Sequence, residues 1–182
     1  YFFNIQSFRY TQDTIDAELK KSKEDFILHF RSVYTDDYPP AWMIAEILPL
    51  GLLCRIYTNL KDNVIKKRVA QHFGLQVPVF SSWIVILAGL RNMCCHHCRT
   101  WNRELATITT EPRRTKYGWI DSSRTDKRRM YYRICMIRYF LYTVSPNNNF
   151  KDKLKTLLAA YPNIDTAAMG FPSDWESEDI WK

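Results

Sequence analysis

The stretch Arg91-Asn92-Met93-Cys94-Cys95-His96-His97-Cys98-Arg99-Thr100-Trp101-Asn102-Arg103 concentrates more reactive chemistry than any other part of the chain. It offers a permanently charged guanidinium, an amide and two imidazoles within a few residues. RNA carries its own nucleophile, the 2′-hydroxyl, so cleaving it needs one proton removed, one donated and charge on the phosphorus oxygens stabilised. Histidine suits both proton roles because it titrates near neutrality, and arginine grips phosphate bidentately without losing its proton. Arginine and histidine are therefore the minimum equipment for cutting RNA without a metal. The same stretch holds Cys94, Cys95 and Cys98, so a metal site competes with that reading.

The element that must position these residues is a central helix, expected over 81–107. Trp83, Leu87, Leu90, Cys94, Cys98, Trp101 and Leu105 recur at steps of three and four and make an apolar stripe. Asn92, His96, Arg99 and Arg103 make a second, polar stripe roughly 200° away. No carboxylate lies between Arg91 and Arg103, whereas a solvated helix face normally mixes acids with lysines. Around it the pattern predicts a helix over 11–34 capped by Asp13, another from Ala41 kinked at Pro49 and Gly51, and a third over 63–73 ended by Gly74. A loop over 110–123 leads to a helix capped by Asp126 and running to Val144, then a last helix over 150–161. The tail is expected to pack through Met169, Phe171, Trp175 and Trp181. With five glycines and no alternating run that reads as a strand, the expected class is all-α.

Length and composition describe one domain, or one with an added subdomain: 182 residues, 46% hydrophobic and 25% charged. The net charge of +7 favours anionic partners. It is concentrated, because Arg113, Arg114, Lys116, Arg124, Lys127, Arg128, Arg129, Arg133 and Arg138 face only Asp121 and Asp126. Five cysteines, an odd number with three of them in one run, are not spread as a disulfide framework. The chain reads as a reduced, cytoplasmic protein whose natural N-terminus precedes Tyr1, with no membrane partner: the longest apolar run, Trp83 to Leu90, is too short to span a bilayer.

Other residues carry two readings. Arg128, Arg129, Arg133 and Arg138 interleave with Tyr131, Tyr132 and Tyr139, either as phosphate contacts with base-stacking rings or as an amphipathic helix with buried tyrosines. Arg113, Arg114 and Lys116 have no packing reason to be basic and are candidate RNA contacts, as are Arg99 and Arg103. Glu46, in an apolar helix, reads either as one half of a structural ion pair with Arg55 or a central-helix arginine, or as a supporting group behind the reactive residues. His97 is either a supporting group behind His96 or a packed histidine, and His29 and His72 read as ordinary. For zinc, one helix projects at most two ligands toward one ion, so Cys54, Cys135 or His72 would have to complete the set.

Arg91-Asn92-x-x-x-His96 resembles the R-x-x-x-x-H motif of HEPN-domain ribonucleases. The stretch from Leu90 to Arg103 looks like the hallmark of bacterial abortive-infection (Abi-like) proteins of that superfamily. Pro40-Ala41-Trp42-Met43 with Glu46, Tyr57-Thr58-Asn59-Leu60-Lys61, His72-Phe73-Gly74-Leu75 and Met169-Gly170-Phe171-Pro172 with Trp175 agree with it. The chain departs from the family in Cys95, where alanine often precedes the paired histidines, and in a short N-terminal part. The resemblance implies an HEPN-like helical bundle over 41–182, with residues 1–40 as the remnant of an N-terminal helical region. It implies a toxin-like, metal-independent endoribonuclease of phage defence that needs no cofactor and acts as a homodimer, so that two motifs meet around one phosphate. His96 is then general base or acid, Arg91 the charge stabiliser and Asn92 the hydrogen bonder that orients His96 or phosphate. An inhibitory antitoxin, RNA or protein, is a further expected partner. A non-catalytic RNA-binding module and a Cys/His zinc protein remain the alternatives.

Overall fold

The computed structural model describes residues 3–182. They form eight α-helices and two short 3₁₀ turns, with no strand among the described residues, which bears out the all-α expectation. The helices are α1 (Ile5–Lys21), α2 (Asp25–Val33), α3 (Ala41–Ile47), α4 (Leu50–Asn59), α5 (Asn63–His72), α6 (Val77–Cys95), α7 (Met130–Val144) and α8 (Phe150–Ala160). They gather into two compact units, one ending at Asn63 and the other covering Val64–Lys182.

In the first unit α1 packs on α3 and α4. The expected 11–34 helix is two helices. The first starts at Ile5, earlier than Asp13 allows, because the Asn4 side chain accepts the Ser7 N–H at 3.0 Å as its cap. It stops at Ser22 and the chain restarts at Asp25. The expected kink at Pro49 is a full break between α3 and α4. Leu19, Ile27, Phe30, Leu48, Leu52, Cys54 and Tyr57 are buried.

The second unit is organised by α7, which is buried nearly all round. Tyr131, Tyr132, Arg133, Cys135, Met136 and Tyr139 are closed to solvent. The amphipathic reading of this helix holds for its tyrosines, but two of its arginines are buried as well. Arg138 stacks over the Tyr142 ring at 4.4 Å and donates to Asn148 Oδ1. α7 begins at Met130, and Asp126 does not cap it; that carboxylate accepts the Arg128 N–H at 2.8 Å inside the preceding turn. The tail packs as expected: Met169, Phe171 and Trp181 are buried, and Trp181 Nε1 donates to Tyr131 Oη at 3.0 Å. Gly74, at φ 68°, follows α5 and lies so close to Lys116 that a Cβ would stand 2.1 Å from the lysine's own.

The central helix is the main correction. α6 starts earlier than expected, with Pro78 in its first turn, and ends at Cys95 rather than near Thr107. His97 sits at φ 53°, the left-handed region. Its N–H reaches the Cys94 carbonyl at 3.1 Å, and the Cys98 N–H reaches the Met93 carbonyl at 2.9 Å. Those two bonds are the Schellman termination, with histidine where glycine is usual. Beyond it the helical register is lost. Arg99 and Arg103 do not extend a stripe from Asn92 and His96, and Cys94, Cys98 and Trp101 are exposed instead of entering the core. The irregular segment then runs from His96 to Arg129. Extended N-terminally to 19 residues, α6 is long and apolar enough to cross a membrane, unlike the run from Trp83 to Leu90 alone. Six of its residues are buried, Trp83 completely, so core packing accounts for much of that apolarity.

Two stability experiments follow. His97→Gly removes the left-handed penalty and raises the urea midpoint by the equivalent of about 1 kcal/mol, while His97→Val lowers it, both at unchanged m. Tyr139→Phe leaves the Lys116 N–H and the Phe73 carbonyl, now 3.1 and 3.0 Å from the hydroxyl, without their partner. It lowers stability by roughly 1–3 kcal/mol in the same measurement.

Candidate functional site

Arg91 and Asn92 lie in the last turn of α6 and His96 is its C-terminal cap residue. The His96 N–H donates to the Asn92 carbonyl at 3.0 Å, so Asn92 and His96 stand one turn apart on nearly the same side. Arg91 is five residues from His96, roughly 140° round the wheel. Its guanidinium nevertheless turns toward that side, and Nη1 donates to Asn92 Oδ1 at 3.3 Å. Arg91, Asn92, His96 and His97 are all exposed. Among the described residues Arg91 has no carboxylate partner, and neither do Arg99, Arg103 or Arg113. The helix end therefore presents a guanidinium, an amide and an imidazole to solvent, with the cation's charge unspent.

The other candidate residues are placed differently. Glu46 is exposed on α3, in the first unit, and the expected Arg55–Glu46 pair is not formed; the Arg55 guanidinium lies over the Tyr10 ring at 4.4 Å. His97 spends its backbone on the helix stop. Arg128 is held by Glu104 at 2.7 Å, and Arg129 by Asp126 at 3.7 Å, with Asn102 Oδ1 at 3.4 Å. Lys127 pairs with Glu111 and Arg124 with Asp174, and these contacts hold both carboxyls below their ordinary range. Most of the local excess of cations is thus tied into the irregular segment's own architecture.

Arg114 and Lys116 sit at the far end of α6. Gln76, which caps its start, donates to the Arg114 carbonyl at 3.2 Å, and Lys116 is fixed through its backbone to Tyr139. α6 is 19 residues, roughly 28 Å, long, so these cations are not gathered around His96. With Lys67, Gln71 and Val77 they line a separate groove of about 670 Å³.

The cysteines do not assemble a metal centre: among the described residues no group of three or more His, Cys, Asp or Glu side chains is placed to share an ion. Cys94, Cys95 and Cys98 are exposed and free, whereas Cys54 and Cys135 are buried, and desolvation pushes both of those thiols up. Sequence reasoning placed one conspicuous residue at phosphate or facing water, and the structure buries it. Arg133 is fully buried beside a pocket whose other walls come from α6 and the segment 103–107. An arginine amid the apolar run Met130–Phe140, with no acid on the same helix, was the available signal.

No curated protein and no solved structure matches the chain. A family model described as Abi-like protein matches residues 2–102, more than half of the 182. That span contains α1 to α6, and with them Arg91, Asn92 and His96, and it stops before the irregular basic segment and α7. The chain belongs to the Abi-like protein family.

Proposed function

We propose that this protein is a metal-independent endoribonuclease acting in abortive infection, with Arg91, Asn92 and His96 as its reactive groups. The observation that carries the reading is the exposed end of α6, where Arg91 is hydrogen-bonded to Asn92 one turn before His96 and remains free of any carboxylate. A phosphate arriving there meets a guanidinium with its charge available and an exposed imidazole. The family supports the biological setting, and the resemblance to HEPN ribonucleases supports the reaction.

In the proposed step a base removes the 2′-hydroxyl proton, the 2′-oxygen attacks the adjacent phosphorus and the 5′-oxygen leaves with a proton from an acid. The products are a 2′,3′-cyclic phosphate and a 5′-hydroxyl. Arg91 balances the charge that grows on the non-bridging oxygens. Asn92 orients His96 or the phosphate. One chain supplies one reactive His96, so base and acid call for a second copy, with the two α6 ends on opposite sides of one linkage. Arg99, Arg103 and Arg113, exposed and free of carboxylate partners, are the remaining candidates for backbone contacts; Arg114, Lys116, Arg128 and Arg129 would add to the field rather than touch the reacting group. Cleavage of this kind in a host cell gives a toxin whose activity must be restrained until infection, which is the place for an RNA or protein antitoxin.

The test is cleavage of a labelled single-stranded RNA by wild type and His96→Ala protein, with and without EDTA. Wild type cuts equally in chelator, leaves cyclic phosphate ends and spares the DNA of the same sequence. His96→Ala loses cleavage by at least 10²-fold while RNA binding survives. A cut that needs Mg²⁺, or one that His96→Ala retains, overturns the mechanism. Unchanged affinity with no cleavage by either protein returns the chain to a binding-only role.

A further inference from the structure

The pocket beside Arg133 is about 380 Å³, the size of a small-molecule site. Val85, Ile86, Leu90 and Met93 of α6 and Leu105 give it apolar walls. Arg133 is closed to solvent, and its partners are the Thr107 carbonyl and, at 3.7 Å, Met136 Sδ. Its Nε is buried with no hydrogen-bond partner, and among the described residues no carboxylate forms an ion pair with the guanidinium. An arginine keeps its charge even where burial works against it, so the fold holds an uncompensated cation at an apolar cavity. The other charges on the pocket wall do not neutralise it: Arg103 adds a second cation, and Glu104 is engaged by Arg128.

Gly89 lies on the same wall. It lies mid-helix in α6, where glycine is unfavourable, and it lines the pocket. A Cβ built there meets nothing within 4 Å, so no neighbour requires the glycine. Gly89 is exposed on the pocket wall, so a side chain there extends into open space at the cavity.

We infer that this pocket binds a small amphiphilic carboxylate, its acid group received by Arg133 with Arg103 at the mouth and its alkyl or aryl body against Val85, Ile86, Leu90 and Met93. The carboxylate supplies the missing counter-charge and matches the guanidinium fork, and the apolar body fills walls that water serves poorly. The inference does not rest on the proposed ribonuclease reading.

Octanoate is the probe, with octan-1-ol and acetate as controls for each half of the chemistry, followed by calorimetric titration of the whole chain. Octanoate is expected to bind saturably, at one site per chain and at least tenfold more tightly than either control. Arg133→Met, an apolar side chain of similar length, retains the fold and loses the preference of octanoate over octanol. Gly89→Phe fills the pocket with the charge left in place and abolishes both, while Gly89→Ala leaves them unchanged. If Arg133→Met fails to fold, the Gly89 pair and the wild-type comparison decide the matter. Equal affinity for octanol and octanoate, unsaturable uptake, or octanoate binding that survives Gly89→Phe overturns the assignment. So does a dimer that Gly89→Phe dissociates with no octanoate effect in wild type, which would give the pocket to a second copy of the chain.

Discussion

The second unit depends on α7 and on the polar tips of its buried side chains. A long stretch without regular structure must find partners for its backbone N–H and carbonyl groups, or remain in water. Here α7 supplies many of them. Tyr139 Oη accepts from the Lys116 N–H and donates to the Phe73 carbonyl, Tyr142 Oη donates to the Ile180 carbonyl, and Arg133 donates to the Thr107 carbonyl. Tyr131 Oη receives the Trp181 indole, and Thr143 donates to Tyr117. Each is a large apolar or aliphatic body ending in a hydrogen-bonding group, so one helix both fills the core and pins the segments laid over it. The helix carries no acid at all, and the burial of Arg133 is the cost of that arrangement.

The stop at His97 is the second constraint, and it decides what the end of α6 can do. Had the helix continued to Thr107, Asn92, His96, Arg99 and Arg103 would share one rigid face. Because it ends at Cys95, only Asn92 and His96 keep a fixed relation, and Arg99 and Arg103 follow the course of the irregular segment, which folds back on itself through the Leu105 N–H to the Arg128 carbonyl at 2.9 Å and meets α7 where Arg133 donates to the Thr107 carbonyl. The reacting groups of the proposed mechanism are therefore set by helix geometry, and its outer cations by a chain path that α7 controls.

Apolar spacing revealed helix number and type in the second unit well, because long amphipathic or buried segments carry strong periodic signals, as in Asn63–His72 and Phe150–Ala160. The end of α6 was hidden for a physical reason. Terminations of this kind usually show glycine, and here a histidine adopts the left-handed conformation in a run of Cys and His that has no breaker. The split between α1 and α2 was hidden in the same way, since Ser22–Glu24 contains neither Gly nor Pro. The nearness of Arg91, Asn92 and His96 to one another could be read from spacing alone because all three lie within the helix or at its cap. The fate of the basic segment could not: whether Arg128 meets Glu104, or Arg133 vanishes into the core, depends on contacts between residues 24 and 26 positions apart.

The candidate site and the proposed ligand pocket share a helix. Gly89, Leu90 and Met93 wall the pocket, while Arg91, Asn92 and His96 occupy the exposed side of the same turns. Met93 is also the acceptor of the Cys98 N–H in the bond that closes the helix end. A ligand seated against Leu90 and Met93 bears directly on the last turn of α6, and it loses contacts whenever that turn frays. Binding there must then stabilise the closed helix end by the same free energy that fraying would take from binding. Since the alignment of Asn92 with His96 exists only while the turn is closed, a ligand in the proposed pocket and an ordered Arg91–Asn92–His96 cluster would be thermodynamically linked through Met93.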